Sequence, residues 1–124
     1  MLNFVFIPHN PTHATTQISA DLFYKIKAIG SGEMEVHAHT DSEHGRAHLA
    51  PGADGVQVAY TIGDAVPTDA EHGTERQVYR SASFIIEAGM TNRKQNINLF
   101  MRWYNSVHPN LSSPWTAVKT EIVL

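Results

Sequence analysis

The sequence predicts an all-β fold: an antiparallel sandwich of about seven strands behind an extended N-terminal arm. Three observations carry that expectation. Apolar residues recur at every second position through most of the chain, the period of a strand with one buried face. Turn segments bearing Gly, Pro, Asn and Ser separate these runs at short, regular intervals. The chain has 124 residues, 42% of them hydrophobic and 17% charged, which suits one domain with its own core and argues against general disorder.

Residues 1–20 are read as an arm or linker and residues 21–124 as the sandwich. Pro8 and Pro11 punctuate the arm. Proline removes a backbone donor and biases its predecessor towards extended backbone, so this stretch reads as a linker or edge segment. Its first residues are apolar enough to dock on a neighbouring surface. In "LFYKIKAI", Leu22, Tyr24, Ile26 and Ala28 share one face, and Lys25 and Lys27 take the other. A helix competes here, because Leu22, Ile26 and Ile29 also have helical spacing and Ser19 can cap it.

After the break at "SG", Met34, Val36 and Ala38 alternate with Glu33, Glu35, His37 and His39. A polar loop follows, closed by "APGADG". Next, "VQVAYTI" offers Val56, Val58, Tyr60 and Ile62 to one side. The long turn "GDAVPTDAEHGT" leads to "RQVYRSASFIIEAG", which supplies one or two strands, and then to the polar turn "NRKQ". "NINLFMRWYN" is apolar on both faces, with Ile97, Leu99, Met101 and Trp103 on one and Phe100 and Tyr104 on the other, which predicts a central strand. After the turn "SVHPNLSSP", "WTAVKTEIVL" is the last strand. Trp103 is expected to fill the core between the sheets and Trp115 to cover its end.

A formal charge of -3 with no Lys/Arg cluster argues against nucleic acid as the main partner. Without cysteine there is no disulfide framework and no thiolate metal site, and the compartment stays open. The apolar run at the N-terminus is short and lacks the flanking features of a signal peptide, and no run reaches the ~20 apolar residues of a membrane span. The chain as given therefore reads as soluble.

The second half, "GVQVAYTI" and then "FIIEAG…NINLFMRWYNSVHPNLSSPWTAVKTEIV", resembles strands of a fibronectin type III-like domain within the wider immunoglobulin-like class. The resemblance extends to a group of small bacterial proteins that carry such a sandwich at the C-terminus. It is borne by "HTDSEHGRAHLAPGADGVQVAY" and "RWYNSVHPNLSSPWTAV", over roughly residues 33–124. The sequence departs from the group at Ser113, where Gly is common, and at Thr116, where Ser is common. The group implies a fold and no activity, so no catalytic residue is carried over.

Within "HAHTD", a strand would project His37, His39 and Asp41 from one face, with ~6.5–7 Å between successive side chains. Two imidazoles at that spacing can chelate zinc or copper, with the carboxylate completing the set. The string also resembles the His-x-His-x-Asp-His signature of metallo-β-lactamase-like hydrolases, but Ser42 holds the sixth position. The simpler reading leaves these histidines on the solvated or partner-facing side of a half-buried strand, where any zinc or copper is adventitious. Asp64, Asp69, Glu71 and Glu75 lack the patterned spacing of a calcium loop. No nucleophile elbow selects a Ser, His and Asp trio.

The expectation is therefore a non-enzymatic structural or protein-interaction module with no cofactor. Its partner would be protein, copies of itself included, reached through the arm or the sheet edges. The alternative is a small metal- or carbohydrate-binding domain using His37 and His39 or exposed aromatics.

Overall fold

In the computed structural model, which describes residues 16–40 and 47–124, the chain forms two antiparallel sheets. The strands are β1 (Phe23–Gly30), β2 (Glu33–His39), β3 (Gly55–Ile62), β4 (Glu75–Tyr79), β5 (Ser83–Glu87), β6 (Asn96–Tyr104) and β7 (Lys119–Ile122). One sheet has the order β1-β2-β5 and the other β4-β3-β6-β7. Among the described residues, helical structure is limited to single 3-10 turns at Met90–Asn92 and Pro109–Leu111, and no helix is long and apolar enough to cross a membrane.

Periodicity decided most of this. Met34, Val36 and Ala38 are fully buried, while their neighbours on β2 face outward. The helical alternative for β1 fails because the segment must close a sheet. Tyr24, Ile26 and Ala28 pair with Ala38, Val36 and Met34 and turn inward, and Ile29, which a helix would have buried, is 44% exposed. The region 75–87 resolves into two strands, and β6 is internal, hydrogen-bonded to β3 and β7. The last strand is shorter than the periodicity suggests and begins only at Lys119.

Trp103 lies at the centre of the sandwich, fully buried with Met34, Val36, Val56, Val58 and Leu99. Its indole N–H donates to the Asp21 carbonyl at 3.1 Å, so this large ring is buried without an orphaned donor. Ile18 and Ala20 also pack on this core, and the Ile18 N–H donates to Leu111 O at 2.8 Å. Residues 1–15 lie outside the described residues.

The β1–β2 turn is fixed by Gly32, at φ +76°, where an added Cβ would stand 2.4 Å from the Gly89 carbonyl. Gly32 N–H donates to Leu124 O at 2.8 Å and its carbonyl accepts from Ala88 N–H at 2.8 Å, so the turn joins the chain end to β5.

Trp103→Ala should lower unfolding free energy by ~3–5 kcal/mol through loss of contacts and a residual cavity. Gly32→Ala should cost more than the ~1–2 kcal/mol of a left-handed backbone alone, because the methyl also meets backbone. Urea unfolding followed by far-ultraviolet circular dichroism measures both.

Candidate functional site

A sandwich leaves two seams where edge strands of opposite sheets face each other. One of them, between β4 and β5, is partly closed by Tyr79 stacked on Phe84 with ring centroids 4.2 Å apart. The other, between β1 and β7, is open along much of its length. At one end a groove of about 490 Å3 runs between residues 17–23 and 114–117. At the other, a shallower one of about 550 Å3 is flanked by Ala28, Asn96 and the last strand, beside Ile122 and Leu124, which are 54% and 52% exposed.

Between the two grooves Tyr24 crosses the seam. Burial pushes its phenol up to about 12, the Glu121 carboxylate adds to the rise, and a hydrogen bond with Thr116 opposes it. The Lys119 ammonium sits 5.3 Å from the Tyr24 ring centroid.

The seam exists because β7 starts late. Upstream of it, two hydroxyl residues replace the regular ladder to β6. Ser113 donates its N–H to Trp103 O at 3.0 Å, and its hydroxyl accepts the Trp103 N–H at 2.8 Å. Thr116 does the same with Met101, at 2.8 Å and 3.0 Å. A side-chain oxygen thus stands where a strand carbonyl would, and the backbone between these anchors is free to bend away from β1. A Gly at 113 would offer no such acceptor.

The outer face of the four-stranded sheet is covered by the chain itself. Residues 64–74 fold across it and bury Ala70 against Ala59 and Phe100, with Trp115 alongside. Asn98, fully buried, holds one end of this loop by donating to the carbonyls of Gly63 and Ala65 at 3.1 and 3.4 Å. At the other end the Asp69 carboxylate accepts the Glu71 and His72 N–H groups, and its bond with the His72 ring holds its pKa below the ordinary value. Trp115 therefore does not cover the end of the core. It lies on this outer face, with the Arg102 guanidinium 4.5 Å over its ring and its N–H donated to Glu71 at 2.8 Å. Arg102 also donates to Gln57 at 2.7 Å, and burial draws its pKa down while Glu71 opposes. Of the acidic residues in the long turn, Asp64, Asp69 and Glu71 are each bound to a neighbouring side chain.

His37 and His39 share the outer face of β2, as their spacing predicts, yet their surroundings differ. His37 is half-exposed, 3.0 Å from the Ser83 hydroxyl and 3.6 Å from the Glu35 carboxylate. His39 is buried, its ring stacked near Phe23 at 6.2 Å, and neither of its nitrogens has a hydrogen-bond partner. Among the described residues, no three His, Asp or Glu side chains are grouped to hold a metal ion, and Asp41 and His44 lie outside those residues. His48 lies beside the end of β2, its backbone N–H donating to Ala38 O at 3.0 Å and its Nε2 2.7 Å from the Thr40 hydroxyl. Comparison of the sequence with protein families and with curated proteins finds no match.

Ser113→Ala should cost ~1–3 kcal/mol, because it strands the buried Trp103 N–H. Chemical denaturation against the parent chain measures this. For Tyr24, an unfolded phenol ionises near 10.0, so from that pH upward the unfolded chain loses a proton that the folded chain keeps. Stability should fall as pH rises from there to about 12, and Tyr24→Phe should flatten that part of the curve. Ultraviolet titration of tyrosinate alongside urea midpoints tests it.

Proposed function

We propose that this domain is a non-catalytic structural or protein-interaction module whose partner is protein, copies of itself included. It is read as a fibronectin type III-like sandwich. In support, β4 pairs with β3 in the four-stranded sheet, whereas in the immunoglobulin constant arrangement the fourth strand lies with the first, second and fifth. The surface that serves interaction is the β1–β7 seam. One outer sheet face is covered by the 64–74 loop, while the seam combines an edge strand with exposed apolar side chains at Phe23, Ile29, Ile122 and Leu124. Free strand edges are where extended partners add, by main-chain hydrogen bonds. The open seam is the observation that carries this reading.

Light scattering should find the full chain associated and a variant lacking residues 2–12 less so. A monomer in both cases would defeat the assembly reading.

A second reading, metal or carbohydrate binding, has one observation in its favour: the buried His39 ring with two unpartnered nitrogens. Buried polar groups are normally satisfied, and such a group is a natural metal ligand. For carbohydrate, Trp115 is a poor platform, since a guanidinium occupies its ring and Glu71 its N–H. Isothermal titration with zinc and with copper separates the readings. The interaction module predicts no saturable heat, whereas heat that disappears in the His37→Ala/His39→Ala variant would establish the metal site.

A further inference from the structure

The groove between residues 17–23 and 114–117 has strand-like walls. Residues 17–23 alternate between exposed and buried, as an extended segment does, and continue directly into β1. In an extended chain the N–H and C=O of one residue point to the same side, and successive residues alternate. The Ile18 N–H points across to Leu111, and the Asp21 carbonyl points inward to Trp103, which places the backbone groups of Ala20 and Leu22 towards the groove. On the opposite wall Thr116 directs its backbone to Met101, which turns Trp115 and Ala117 the other way. Among the described residues, none of these four residues makes a backbone hydrogen bond across the groove.

We infer that this groove receives residues 2–7 of a second copy of the chain as an added strand, paired with both walls. The inference rests on reading the domain as an interaction module and names its receiving site. Three features select that occupant. Leu2, Phe4 and Phe6 repeat at the period of a strand, which over six residues spans ~20 Å. Residues 1–15 contain no Asp, Glu, Lys or Arg, which suits walls whose single charged residue is Asp21. Pro8 and Pro11 lie between the apolar stretch and Gln17 at the groove's closed end, and both favour extended backbone over the reversal needed to reach the chain's own groove. Beyond Phe23 the edge carries exposed Lys25 and Lys27, which discourage pairing there and confine an added strand to the groove.

Two full-length variants divide the interaction between copies. Phe4→Asp/Phe6→Asp spoils the donor segment and leaves the groove, while Ala117→Arg obstructs the groove at an exposed position and leaves the donor. Light scattering should show the parent above the 13.7 kDa of one chain and each variant alone at that mass. Mixing the two variants should restore association, since one brings an intact arm and the other an intact groove. In the parent, the amides of Ala20, Leu22, Trp115 and Ala117 should exchange slowly with solvent, and that protection should be lost in the Phe4→Asp/Phe6→Asp variant. Monomeric parent with protected groove amides would mean that each arm fills its own groove and would overturn the exchange. Association that survives both substitutions would overturn this site and leave the interaction module standing. A parent that is monomeric with unprotected groove amides would remove self-assembly altogether.

Discussion

Trp103 sets the geometry on which the other features depend. Its ring occupies the space between the sheets, its indole N–H requires an acceptor, and the Asp21 carbonyl provides it. That bond ties the segment before β1 to the middle of the opposite sheet. Its backbone N–H, also buried, is satisfied by the Ser113 hydroxyl. One residue thereby positions both walls of the groove, residues 17–23 through the side chain and residues 113–117 through the main chain.

The two sheets meet their outer surfaces differently. The four-stranded sheet carries Phe100 and Ala59 outward and would expose an apolar strip, but the 64–74 loop is held over it by Asn98 at one end and by the Trp115–Glu71 hydrogen bond further along. The outer face of the three-stranded sheet is mixed, with glutamates and a half-exposed histidine on β2 and lysines on β1 beside exposed Phe23, Ile29 and Ile85. Between the sheets, the β1–β7 boundary carries two grooves. The hydroxyls of Ser113 and Thr116 hold that boundary open by satisfying β6 without a regular strand.

Much of the fold is legible in the residues because burial in a sheet has a period of two, nearly unbroken on β1 and β2, while consecutive buried residues mark β3 and β6 as internal. The β1 segment was ambiguous between helix and strand because Leu22, Ile26 and Ile29 also satisfy helical spacing. Pairing with β2 settles it. The site was less legible. Trp115 next to Pro114 resembles a lid on the core, and nothing local reveals that a loop more than forty residues earlier will supply its partner Glu71. Nothing local marks Ser113 and Thr116 as acceptors, because that function depends on β6 lying opposite. The paired histidines look equivalent in the sequence, while the fold leaves one half-exposed and buries the other.

The amino-acid order alone determined that the backbone is extended, which side chains turn inward and that the strand ending in Trp103 is central, since these follow from local alternation and from apolar residues on both faces. Tertiary structure decided which strands are neighbours, where the second apolar cluster forms and which seam stays open. Those outcomes depend on hydrogen bonds and contacts between residues far apart in the chain, whose partners are chosen only when the sheets close on each other.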